Sequence, residues 1–153
     1  MDEFLRGKKL AMRFLATRMY TSREIFDRLR RKGYSAETAE EVVTELIEEG
    51  LLDDKRFAEF YISDNVSIGY KGIYRIKQEL LRKGVPGSVI DRAVANAEID
   101  CEEALREFVR QKLSVTDIET RKDYERFRTM LARRGYSLSE INEVLSEYDF
   151  DLN

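Results

Sequence analysis

An eleven-residue segment recurs three times in this chain at constant spacing. Glu24 to Tyr34 (EIFDRLRRKGY), Arg75 to Val85 (RIKQELLRKGV) and Arg126 to Tyr136 (RFRTMLARRGY) align on Gly33, Gly84 and Gly135, with 51 residues from each glycine to the next. A unit of about 50 residues repeated in tandem is one supersecondary module stacked on copies of itself. The expected product is an elongated, curved array that offers a surface to a partner rather than a catalytic pocket.

The unit is helical throughout. One proline and eight glycines in 153 residues, with few Val or Ile runs at period two, leave almost no room for strands. The first helix of each unit carries an apolar quartet: Leu10, Ala11, Phe14, Leu15; then Phe57, Ala58, Tyr61, Ile62; then Ala104, Leu105, Phe108, Val109. The middle helix places Ile25 and Leu29, Ile76 and Leu80, or Phe127 and Leu131 on one stripe. The third does the same with Ala39, Val42 and Val43, with Ile90, Ala93 and Val94, and with Ile141, Val144 and Leu145. These patterns predict nine helices in an all-α chain of three tandem three-helix, helix-turn-helix-like repeats, at residues 1–50, 51–98 and 99–153.

Punctuation marks the same boundaries. Thr21 with Glu24, Asp100 with Glu103 and Ser137 with Glu140 have the spacing of capping boxes. Gly33, Gly84 and Gly135 stand where each middle helix ends, a position that favours the left-handed conformation. The quartets repeat every 47 residues and the glycines every 51, so the stretch from first to middle helix lengthens by four from one unit to the next. Loops absorb insertions more readily than packed helices, which predicts growing loops along one edge, suited to recognition.

Charge follows the same unit. Residues 1–34 carry ten Lys or Arg against four Asp or Glu, whereas residues 35–54 carry eight acids and no base. Residues 55–92 are net +4, 93–107 net −4, 108–135 net +4 and 136–153 net −5, within a total of −3. Each repeat therefore has basic first and middle helices and an acidic third helix. Parallel stacking of such repeats would draw a basic and an acidic stripe that the mean pI of 5.3 conceals.

The cations admit several readings. Arg31 and Lys32, Arg82 and Lys83, and Arg133 and Arg134 end the middle helices, where positive charge complements the helix dipole, and third-helix glutamates can pair with neighbours. The same cations suit an acidic or mixed protein partner, or nucleic acid. In the enlarged loop of the second unit and at the start of its middle helix, Tyr70, Lys71, Tyr74, Arg75 and Lys77 interleave aromatics with cations, a composition that suits single strands and also a loop packed by its own tyrosines. These eleven residues are the candidate contacts with a partner or with DNA.

Catalysis finds little support. The chain has no histidine, which removes the commonest general base and metal ligand. Asp53 and Asp54 are explained by capping of the following helix, and no phosphate-cradling glycine loop is present. Neither a metal nor a cofactor is expected. The single Cys101 has no intramolecular disulfide partner, and neighbouring Glu102 and Glu103 would raise its thiol pKa. No apolar run approaches the roughly 18 residues of a membrane span, and the first residues lack a secretory signal, so a cytoplasmic, monomeric protein is expected.

Leu10 and Ala11, Arg18, Thr21 with Glu24, Leu29 and Lys32-Gly33, then Gly50 through Asp53, Asp54, Arg56, Phe57 and Ala58, then Gly72 and Leu80 to Gly84 give the chain a family likeness. It resembles the RecX regulatory proteins of bacteria, most specifically in the segment from Leu52 to Ala58. The likeness spans the whole chain and is sharpest from Leu10 to Gly84. It implies a non-enzymatic protein of tandem three-helix repeats. Such a protein binds the RecA recombinase, lies in the groove of its filament on DNA and restrains its ATPase, strand-exchange and co-protease activities in DNA repair, recombination and the SOS response. Single-stranded DNA would then be met indirectly or weakly. The alternative is a stand-alone nucleic-acid-binding helical protein using the third helix for recognition, against which stand Glu37, Glu40, Glu41, Glu45, Glu48 and Glu49 on that helix.

Overall fold

The recurring apolar stripes become helices in the computed structural model, which describes residues 2–152. Among the described residues there are nine helices and no strand: α1 Glu3–Leu15, α2 Ser22–Arg31, α3 Ala36–Glu48, α4 Asp54–Ser67, α5 Ile73–Arg82, α6 Gly87–Asn96, α7 Cys101–Leu113, α8 Arg121–Arg133 and α9 Leu138–Leu145. None of them is long and apolar enough to cross a membrane. The chain divides into two units, one of Met1–Phe60 with Leu80–Ala95, the other of Tyr61–Glu79 with Asn96–Asn153. The dividing line runs through α4 and α5.

In the first unit α1, α2 and α3 bury Ala11, Tyr20, Ile25, Leu29, Ala39, Val42, Leu46 and Leu52 in one cluster. Burying a Leu or Ile side chain is worth about 1.5–3 kcal/mol, so this cluster supplies most of the drive to pack the three helices. Thr21 caps α2 by accepting from the Glu24 N–H, and the Glu24 carboxylate accepts from the Thr21 N–H in return. Glu3 at the start of α1 accepts from the Ser35 N–H and the Thr38 hydroxyl, placing a carboxylate at the positive end of α3. In the second unit α7, α8 and α9 enclose Leu105, Phe108, Val109, Phe127, Leu131, Tyr136, Ile141, Val144 and Leu145.

Three expectations require correction. The first-to-middle connections do not grow: they occupy residues 16–21, 68–72 and 114–120. The extra residues are helical instead, because α4 and α7 continue well past Tyr61 and Phe108 whereas α1 stops one residue after Phe14, and α8 starts earlier relative to its core. Exposed backbone is thereby converted into satisfied helical hydrogen bonds. Of the three capping boxes, that at Asp100 is one-sided: its carboxylate accepts from the Glu103 N–H, while the Glu103 side chain turns to Arg106. A full box forms instead at Thr120 and Asp123. The Cys101 thiol is pushed up as expected, but by burial first and then by Glu140 and Asp100, not by Glu102 and Glu103.

The glycine corners do more than end helices. Gly84 (φ +89°) lies against the start of α2, where a Cβ would come within 2.5 Å of Arg23 side-chain carbons. Beside it, the Lys83 carbonyl accepts a 2.6 Å bond from the buried Thr21 hydroxyl, and Lys83 Nζ reaches Glu24 at 3.4 Å. The second unit repeats the arrangement 51 residues on. The Arg134 carbonyl accepts a 2.8 Å bond from the N–H of Gly72, the residue before α5, and a Cβ on Gly135 (φ +101°) would meet Arg75 Cβ at 2.4 Å and its backbone nitrogen at 2.7 Å. Each corner closes the free carbonyl end of one middle helix on the free N–H end of the preceding one.

Gly33 has a similar φ, +97°, but open space around it. Gly33→Ala is expected to lower the unfolding free energy by about 1–2 kcal/mol, the cost of the left-handed backbone alone. Gly135→Ala adds a collision with backbone and is expected to cost roughly 3 kcal/mol or more. Urea denaturation followed by circular dichroism compares them, and equal losses would contradict the docked corner.

Candidate partner-binding surface

The aromatic and cationic segment after α4 is folded back on its own unit. Tyr70 sits at φ +49°, a strained value for a tyrosine, and is held there from two sides. Its ring packs 5.4 Å from that of Phe108, and its hydroxyl accepts from Gln111. Arg134 donates through Nε to the Tyr70 carbonyl at 2.9 Å and through its terminal nitrogen to the Gly69 carbonyl, with the guanidinium 4.5 Å above the Phe108 ring. Lys71 Nζ reaches the Glu79 carboxylate at 2.9 Å, Arg75 Nε reaches it at 3.2 Å and the Tyr61 hydroxyl donates to it at 2.7 Å. Burial works against ionisation of Glu79, but the bonds from Tyr61, Lys71 and Arg75 outweigh it and hold the carboxyl below its ordinary value of 4.5.

The eleven sequence candidates therefore separate. Tyr70, Lys71, Lys83 and Arg134 are engaged within their units, as loop supports or docked corners. Tyr74 is 70% exposed, Arg75 is exposed beside its Glu79 contact, and Lys77 is half-buried. Arg31, Lys32, Arg82 and Arg133 point to solvent, Arg31 donating only weakly to the Asp27 carbonyl at 3.4 Å. In the two docked cation pairs the residue next to the glycine is drawn inward and the one before it stays outside.

Sequence reasoning did not single out two charged grooves. In the second unit Arg75, Lys122, Glu125, Arg126, Thr129, Met130, Arg133 and Arg134 line an open groove of about 530 Å³ along α8. In the first unit Glu37, Glu40, Glu41, Glu45, Glu48 and Glu49 line one of about 700 Å³ with Phe4 and Thr44. Lys8 bridges Glu45 at 2.8 Å and Glu49 at 2.6 Å, so part of that acidic face is neutralised from α1. The signal for the basic groove was the i, i+4, i+11 spacing of Lys122, Arg126 and Arg133, of which Lys122 lies outside the aligned segment.

Helical triads in tandem, with glycine corners and charged grooves, define a class of all-helical repeat protein. The model of the first RecX three-helix domain matches residues 8–46, and that of the second matches residues 53–94. The chain belongs to the RecX family. It is 34% identical over 141 residues to the Regulatory protein RecX of Halorhodospira halophila, covering 92% of this chain and 87% of that one. With the Regulatory protein RecX of Pseudomonas fluorescens it shares 34% over 154 residues, at 99% and 97% coverage. The crystal structure of RecX from Lactobacillus salivarius has the same fold, with a TM-score of 0.75 at 23% identity over 94% of this chain and 95% of that one.

The family's most specific letters prove to be structural. Leu52, Phe57 and Ala58 are buried, Asp53 accepts from the Arg56 N–H at the start of α4, and Asp54 accepts a 2.8 Å bond from the Ser22 N–H at the start of α2. Two predictions follow from the loop. Arg134→Ala should unfold at lower denaturant than Arg133→Ala, which is expected to stay within about 0.5 kcal/mol of the parent. Because the Glu79 pKa is lowered in the folded state, its contribution is present above pH 4.5 and lost as pH falls through the folded value. Acid titration of stability should be flatter in Glu79→Gln below that pH, and an unchanged profile would remove Glu79 from the acid response.

Proposed function

We propose that this chain is a non-enzymatic regulator that binds the RecA recombinase on DNA and restrains its ATPase, strand-exchange and co-protease activities. Membership of a family whose relatives carry the name regulatory protein supports the regulatory role. The observation that carries the binding role is the set of exposed cations together with the 70% exposed Tyr74. Arg31, Lys32, Tyr74, Arg75, Arg82 and Arg133 are the contacts proposed for filament and partner. Tyr70, Lys71, Lys83 and Arg134 act behind them by setting the loop and the corners.

Regulation then works by linkage. A chain that fits one filament state better than another shifts the population toward that state by its differential affinity, without chemistry of its own. Rim charges set mainly the association rate and the salt dependence. DNA is met through the filament, because the third helix that a helix-turn-helix reader would insert carries five glutamates within α3 and a sixth, Glu49, at its C-cap.

Adding the chain to RecA filaments on single-stranded DNA should give co-sedimentation at low salt and slower ATP turnover. Tyr74→Ala combined with Arg133→Glu is expected to weaken that effect by about tenfold, a loss of roughly 1.4 kcal/mol. Unchanged turnover with no co-sedimentation would remove the proposal.

A further inference from the structure

Most cations of the second unit already have partners. Lys71 and Arg75 hold Glu79, Arg106 meets Glu102, Glu103 and Glu147, Arg110 meets Glu107, Arg128 meets Glu125, and Arg134 donates to backbone carbonyls. Lys122, Arg126 and Arg133 differ. All three are exposed on one face of α8, line the same groove, and make no ion pair among the described residues. Their spacing puts three like charges along one helix edge, which costs the helix a little instead of supporting it. Between them the groove floor offers the half-buried Met130, a polarizable side chain that adapts to an apolar guest.

We propose that the α8 groove is a docking site for a carboxylate-rich peptide segment of a protein partner. Acidic side chains of the segment pair with Lys122, Arg126 and Arg133, and one apolar side chain rests on Met130. Charge complementarity selects a polyanion, and three features select peptide over nucleic acid. Glu125 lies in the groove, and Asp117 and Asp123 line the adjoining one with Arg126, so carboxylates interrupt any phosphate track. The aromatic rings beneath, Phe108 and Phe127, are each only 5% exposed and present no face for bases to stack on. Met130 gives the floor one apolar spot, which rewards a side chain and not a sugar-phosphate backbone. From Lys122 to Arg133 the helix rises about 16 Å, the reach of roughly five residues of extended chain. Guanidinium groups at two of the three positions allow bidentate pairing with carboxylates.

The inference rests on reading the chain as a binder of a protein partner, and its test uses no RecA, so failure here and failure of the regulator proposal are separable. A fluorescein-labelled peptide of alternating Asp and Glu with one central leucine is titrated with the full chain at low salt and followed by anisotropy. The same is done with a leucine-free peptide and an oligothymidylate of equal charge. The expected result is peptide binding that weakens with salt and falls about tenfold or more in K122E/R126E/R133E, with helical circular dichroism unchanged. Met130→Ala should weaken only the leucine-bearing peptide, a selectivity that a merely structural role would not produce. Absence of peptide binding, indifference to the triple reversal, or tighter binding of the oligothymidylate lost in that same variant would overturn the proposal.

Discussion

A glycine corner docked on the N-terminus of the preceding middle helix is the contact on which the rest of the structure depends. It solves two problems together. The last carbonyls of α5 and α8 and the first N–H groups around α2 and α5 are orphaned by helix geometry. The Lys83 carbonyl accepts from the Thr21 hydroxyl, and the Arg134 carbonyl accepts from the Gly72 N–H. The approach is too close for any side chain at Gly84 or Gly135, and the left-handed turn there would itself strain other residues. A fixed 51-residue register follows, because corner and helix start must both recur for the contact to recur.

The corner also sorts the charges. The cation adjoining each docked glycine is drawn in to a partner, Lys83 to the Glu24 carboxylate and Arg134 to the backbone carbonyls of Gly69 and Tyr70. The cation one position earlier faces water. Of the two cations at each docked corner, only the one with a partner is desolvated, which keeps that cost low. Lys122, Arg126 and Arg133 stay exposed on one face of α8 and line one groove.

Helix number, helix type and the core stripes were legible because apolar residues at helical spacing report burial directly: Ile25, Leu29, Ile76, Leu80, Phe127 and Leu131 are all buried. The corner glycines were legible as caps, but their second role was not, since nothing local distinguishes the open Gly33 from the docked Gly84 and Gly135. The lengthening between first and middle helices was visible as a number and wrongly assigned to loops, because periodicity measures separation and not which backbone fills it. At the candidate surface, composition located the Tyr70–Lys77 segment without showing that Tyr70 and Lys71 are held inward by Phe108, Arg134 and Glu79. Side-chain direction in an irregular segment depends on tertiary partners far away in sequence, which a pattern of letters does not carry.

If the docked corner organises the fold, the Gly72 amide should be among the slow exchangers, although it lies outside any helix. Native-state hydrogen exchange measures this directly. The Gly72 N–H, bonded to the Arg134 carbonyl at 2.8 Å, is expected to open with the same free energy as the core amides of Phe127 and Leu131. Exchange of Gly72 at the rate of a solvated loop, with those core amides still protected, would contradict the account.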